Sequence, residues 1–84
     1  MTAPAPDAAR ARRDQASVVH ACVGELPLKL REVFVLYELE AMSAVEIARL
    51  LDLPENTVRS RLRLGRERFR SVWAEKTKQD GGTA

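Results

Sequence analysis

Between Arg59 and Arg70 the chain carries six arginines, Arg59, Arg61, Arg63, Arg66, Arg68 and Arg70, opposed only by Glu67. A guanidinium is a planar fork of N–H donors that fits the two acceptors on a guanine edge, or two oxygens of a phosphate. Ser60 stands between the first two arginines and is short enough to let a helix approach closely. Asn56 and Thr57 precede them, where the first amides of a helix and short polar side chains can meet a phosphate. These residue types do recognition chemistry on nucleic acid. Arg59, Ser60 and Arg63 are the candidates for base edges. Arg61, Arg66 and Arg68 fall nearer the apolar border, which assigns them to phosphates or to acids of neighbouring helices. An arginine-rich helix is also how an ordinary solvated face looks, so the decision rests on what holds it.

Starting from Val58, the residues Leu62, Gly65, Phe69 and Val72 follow at steps of four, three, four and three, one face of a long helix opening at Pro54 or Glu55. Trp73 flanks that stripe as a lid on the core, a better use of it than stacking on a base. Upstream, Ser43 with Glu46 three residues on forms a capping-box pattern. It opens a short helix carrying Val45, Ile47, Ala48, Leu50 and Leu51, which is expected to be largely buried. Asp52, Leu53 and Pro54 make a break of turn length. Short helix, turn and long helix with a polar outer face form a helix-turn-helix, with Ala48 small where the two helices cross.

Two more helices must support this unit. One has Pro27 at its favoured first position and a stripe of Leu28, Leu30, Val33, Phe34, Tyr37 and Leu36. The other runs from Arg10 or Asp14 to Val23, with Ala16, Val19 and Val23 inward and Gly24 to end it. There is no period-two pattern, so the fold class is all-α: four helices, the last two a helix-turn-helix without a wing. Residues 1–9, rich in Ala and Pro, are expected to be a disordered linker or tail, 10–77 the domain, and 78–84, with Gly81 and Gly82, a second tail.

Composition removes other classes. The net charge is +2, with 14 Lys and Arg against 12 Asp and Glu, but its distribution is polar: an acidic middle and a basic last helix. Cys22 is the one cysteine, so no internal disulfide can form. His20 lies two residues from Cys22, but helical residues two apart point to different sides and no second pair completes a zinc site. Cys22 reads as a small core hydrophobe. With one histidine, no glycine-rich phosphate loop and no paired carboxylates, neither enzyme chemistry nor a cofactor is expected. No stretch is apolar for long enough to span a bilayer and no secretory leader is visible, giving a cytoplasmic reading.

The stretch after Gly24, ELPLKLREVFVLYELEAMSAVEIARLLDLPENTVRSRLRLGRERFRSVW, resembles the C-terminal promoter-binding region (region 4) of bacterial extracytoplasmic-function sigma factors of the sigma-70 family. The resemblance lies in LP opening the second helix, the REVFVL stretch, SAVEIARLL, and PENTVRSRL followed by an arginine-rich tail. It implies binding of double-stranded DNA at the promoter minus-35 element, and docking of hydrophobic and acidic surfaces on the beta-subunit flap tip of core RNA polymerase. An anti-sigma factor is a further implied partner, and the isolated domain is expected to be a monomer. By position, the resemblance adds Leu64 to the base-facing candidates Arg59, Ser60 and Arg63. It places Asn56, Thr57 and Arg61 on phosphates, with Ser43 and Arg49 joining from the supporting helix.

Leu36, Tyr37, Glu38 and Glu40 form a patch that is either core edge or the docking place for polymerase or anti-sigma factor. The sequence departs from the family at Asp52 and Asn56, where glycine is usual and where both replacements tolerate turn geometry. It departs again at Leu64-Gly65, where a basic residue and Ala are commoner. The family's other domain, which binds core polymerase and melts the minus-10 region, is not in these residues. The chain is accordingly an excised domain or a stand-alone relative, and its Ala/Pro start resembles an interdomain linker. Two alternatives stay open: a response-regulator output domain of the LuxR type, against which the charged Glu75–Lys78 end argues, and a module that binds only polymerase or an anti-sigma factor.

Overall fold

The computed structural model describes residues 6–81, with side chains from 13 to 78. Four α-helices follow one another: α1 (Pro6–Gly24), α2 (Leu28–Phe34), α3 (Ala44–Leu51) and α4 (Glu55–Gly81), and there is no strand among the described residues. The all-α, four-helix architecture expected from the periodicity is the one found. Both ends reach further than expected. The helical backbone begins at Pro6 and continues to Gly81, so parts of both anticipated tails are helical, while residues 1–5 and 82–84 lie outside the described residues. Proline needs no amide partner in a first turn, and its fixed φ suits a helix start.

α2 is the central helix. Its adjacent residues Val33 and Phe34 point into two separate clusters. Val33 joins Ala44, Ile47, Val58 and Leu62, with Leu36, Tyr37, Met42, Ala48, Leu51 and Leu53 around them. Phe34 joins Val23 and Leu26, with Val19, Val35 and Phe69 at the edge. α4 spans both clusters, so one helix is fastened along most of its length. Each fully buried aliphatic side chain contributes roughly 1.5–3 kcal/mol relative to exposure. The Phe34 and Phe69 rings stack at 5.0 Å, and Trp73 continues the stack at 6.0 Å from Phe69, the lid position expected of it.

Three residues expected inside are outside: Leu28 is 63% exposed, Leu50 60% and Val45 39%. Ala16 is exposed as well. A helical stripe defines a direction but not how wide an arc the neighbours cover, and here the covered arc of α3 is little more than Ala44 and Ile47. Pro27 caps α2 rather than occupying its first position, its carbonyl accepting from the Leu30 and Arg31 amides at 2.9 and 2.8 Å.

α2 does not simply end. Val35–Leu39 continues it as a π turn, and the Glu40 amide reaches back to the Val35 carbonyl at 3.1 Å. The wider turn changes the direction of the backbone, which leaves it through Ala41 at φ 56, a left-handed conformation unusual for a residue with a Cβ. Long polar side chains tie the helices together. Arg31 donates to the carbonyls of Gly24 (2.9 Å) and Leu26 (3.0 Å), closing the end of α1, and Lys76 pairs with Glu25 at 2.9 Å.

Candidate nucleic-acid interface

The supporting helix α3 is built as its sequence demands. The Ser43 hydroxyl accepts from the Glu46 amide (3.1 Å), and the Glu46 carboxylate accepts from the Ser43 amide (3.0 Å), so each side chain satisfies a backbone donor that the first turn leaves open. The Ser43 amide, and after it the Ser43 hydroxyl, hold the Glu46 carboxyl below its ordinary value. The helix stops at Asp52, which takes φ 54 and ψ 52, and the Leu53 amide returns to the Ala48 carbonyl at 2.9 Å. A short polar side chain tolerates this left-handed cap, which explains an aspartate where glycine would be usual. Asn56 is different. It is the second residue of α4, outside the left-handed region, so no turn geometry is required of it.

α4 starts as the Thr57 and Val58 amides close onto the Pro54 carbonyl (3.0 and 3.2 Å). Val58 and Leu62 are buried beneath it, and Arg59, Ser60 and Arg63 are exposed on its outer side. Asn56 is exposed, while Thr57 and Arg61 are half-buried. On α3, Ser43 and Arg49 are exposed. The polar face and the buried face of α4 are thus divided as the spacing predicts.

Arg59, Arg63, Arg66 and Arg70 line a common groove with Tyr37, Ala44, Leu62 and Glu67. Leu64 is not part of it. It is 43% exposed and lines a neighbouring depression with Leu30, Glu67, Arg68 and Ser71. Glu67 lines both depressions, and Leu64 lies one turn beyond Ser60 on the same exposed side of α4. Gly65, next to it, is buried where α4 crosses α2.

Three of the four groove arginines already have carboxylate partners. Glu55 accepts from Arg59 at both Nε (3.2 Å) and Nη2. Arg63 lies 3.6 Å from Glu67. Arg66 donates to Glu38 at 2.9 Å and sits 4.9 Å over the Tyr37 ring, and the bond to Glu38 raises its pKa further. Of the three arginines assigned to phosphates or neighbouring acids, Arg66 meets an acid of the π turn that follows α2. Arg61 and Arg68 make no ion pair among the described residues. Glu55 and Arg70 were missed as members of this surface. The four-residue spacing of Glu55 and Arg59 was the available signal for the first.

The patch of Leu36, Tyr37, Glu38 and Glu40 is divided in use. Leu36 and Tyr37 pack on the core cluster, Tyr37 and Glu38 also hold Arg66, and Glu40 is exposed. Leu36 also lines an apolar groove with Val35, Leu50 and Leu51, bordered by Arg31 and Glu32. Cys22 is fully buried, and burial raises its thiol pKa, whereas His20 is exposed. Among the described residues no cluster of His, Cys, Asp and Glu is arranged to hold a metal ion, and no helix is long and apolar enough to cross a membrane.

Compared with known families, residues 17–69 match the one described as Sigma-70, region 4. The match takes in α2, α3, the turn and α4 as far as Phe69. Among curated proteins, none matches the chain.

Proposed function

Since this chain belongs to the sigma-70 region 4 family, whose domains bind promoter DNA in transcription initiation and are not enzymes, we propose that it reads the minus-35 element as region 4 of an extracytoplasmic-function sigma factor. The observation that carries the reading is the division of α4, with Arg59, Ser60 and Arg63 exposed directly over buried Val58 and Leu62. A helix so divided can enter the major groove without disturbing its own core. Arg59 and Arg63 then grip base edges, Ser60 permits close approach, and Leu64, one turn on from Ser60, faces the bases beside it. Asn56, Thr57 and Arg61 anchor phosphates at the N-terminal end, with Ser43 and Arg49 contributing from α3. The arginine row steers the approach electrostatically.

Polymerase docks, in this reading, at the patch beginning with Leu36, where the apolar groove and exposed Leu50 offer surface that none of the described residues covers. Glu40 supplies charge at its edge, while Tyr37 and Glu38 shape it from their places against Arg66. An anti-sigma factor would compete for the same face. The free domain is monomeric and binds DNA weakly, at about 10⁻⁴ to 10⁻⁶ M, and tethering to polymerase supplies the remaining affinity.

The test is a duplex selected by the chain from a randomised pool, then varied one base pair at a time. Arg63→Ala is expected to weaken binding and to relax preference at one base pair. An equal loss on every sequence makes Arg63 a phosphate contact, and failure of the pool to yield any preferred sequence removes the promoter reading.

A further inference from the structure

The two base-facing arginines are held differently. One oxygen of Glu55, Oε1, accepts from both Nε and Nη2 of Arg59. Glu67 lies 3.6 Å from Nη1 of Arg63, beyond hydrogen-bond reach. Both pairs span one helical turn and are exposed, so neither adds much to stability. Their difference lies in what they do to the arginine. The carboxylate on Arg59 takes two of the five N–H groups, those on the Nε edge, and leaves two on Nη1 and one on Nη2. Recognition of guanine by an arginine needs two donors against O6 and N7. The remaining Nη1 and Nη2 donors suffice, so Glu55 can stay bound while Arg59 reads a base. A guanidinium held by one edge also has less rotamer freedom to lose on binding.

We propose that Glu55 is a specificity-determining positioning residue that holds Arg59 by its inner edge and presents the outer edge to guanine. The proposal rests on the promoter-reading function. Arg63, without such a hold, adapts to its partner. The competing explanation is that Glu55 serves only α4, as an acid in the first turn facing the positive end of the helix dipole. That role would alter the stability of the domain, not its choice of base.

The full chain and the selected duplex with all its single-base variants separate the two. Glu55→Ala, Arg59→Ala and the double variant are compared by equilibrium binding, with thermal melting alongside. Arg59→Ala identifies the base pair that Arg59 reads. Glu55→Ala is expected to reduce discrimination at that same base pair by about three- to tenfold, a fraction of a full arginine–guanine contact. Neighbouring positions should keep their preferences, and the double variant should discriminate no less than Arg59→Ala alone. Glu55→Gln, which keeps the accepting oxygen without the charge, should recover part of the loss. If Glu55→Ala strengthens binding to every sequence equally and leaves base choice intact, the carboxylate is only a charge near DNA and the proposal fails. If Arg59→Ala changes no base preference, the assignment of Arg59 to a base fails first and carries this inference with it.

Discussion

The Arg66 guanidinium sits 4.9 Å over the Tyr37 ring while its Nε donates to Glu38 at 2.9 Å. One side chain of α4 thus holds two consecutive residues of the π turn. A cation over an aromatic face contributes about 0.5–1 kcal/mol at exposed sites, and a partly exposed ion pair adds a few tenths to 1 kcal/mol. Since Arg66 and Glu38 both stay more than a third exposed, the sum is discounted for solvent. Arg66→Ala should lower stability by about 1 kcal/mol, read as a shift of the melting midpoint. Arg66→Lys should recover less than half, because an ammonium lacks the planar fork that serves ring and carboxylate together. Full recovery by lysine would reduce the contact to simple charge.

Ala41 leaves the π turn at φ 56 with its side chain in solvent. A Cβ in the left-handed region costs roughly 1–2 kcal/mol, part of which is offset by the greater freedom that glycine has in the unfolded chain. Ala41→Gly should therefore stabilise the domain by about 0.5–1 kcal/mol, although it removes atoms. Denaturant titration would show the midpoint rising at constant slope. A fall would mean that the exit from the π turn is unstrained.

Gly65 tests the opposite exchange. A Cβ built there would meet the Leu30 carbonyl oxygen at 3.5 Å and the Leu30 and Phe34 Cβ atoms at 3.7 Å, which is ordinary contact. Glycine inside a helix costs roughly 0.5–1 kcal/mol relative to alanine. Gly65→Ala is expected to raise the melting midpoint by about 2–8 °C, given the size of the domain. A lowered midpoint would show that α2 and α4 cannot yield even a methyl group.

The helices, the capping box and the two faces of α4 were legible because each is a local rule. Ser43 and Glu46 need only their spacing, and Val58, Leu62 and Phe69 need only the helical period. The π turn was not legible, because nothing in Val35–Leu39 distinguishes one extra residue per turn from an ordinary helix end. Its consequences, Glu38 beside Arg66 and Ala41 at positive φ, were hidden with it. The exposure of Leu28 and Leu50 was not legible because burial depends on whether another helix arrives, and none of the described residues covers them. Leu64 carried a role borrowed by position. Leu64 lines the depression next to the arginine groove and shares Glu67 with it.

The capping box gives the domain a specific acid sensitivity. The Ser43 amide and hydroxyl hold the Glu46 carboxyl below its ordinary value of 4.5 in the folded state, and Arg49 adds a smaller effect in the same direction. A folded pKa below the unfolded one means that the ionised form stabilises the fold. That contribution is complete above the ordinary value and is lost as pH falls through the folded one. Glu46→Gln keeps an oxygen for the Ser43 amide but cannot ionise. The wild-type chain should therefore be the more stable of the two by a constant margin at neutral pH. The margin should begin to shrink once the pH drops below 4.5 and vanish under stronger acid. Parallel urea titrations from neutral to acid pH measure it directly, and a margin that stayed constant throughout would place the stabilising charge on some carboxylate other than Glu46.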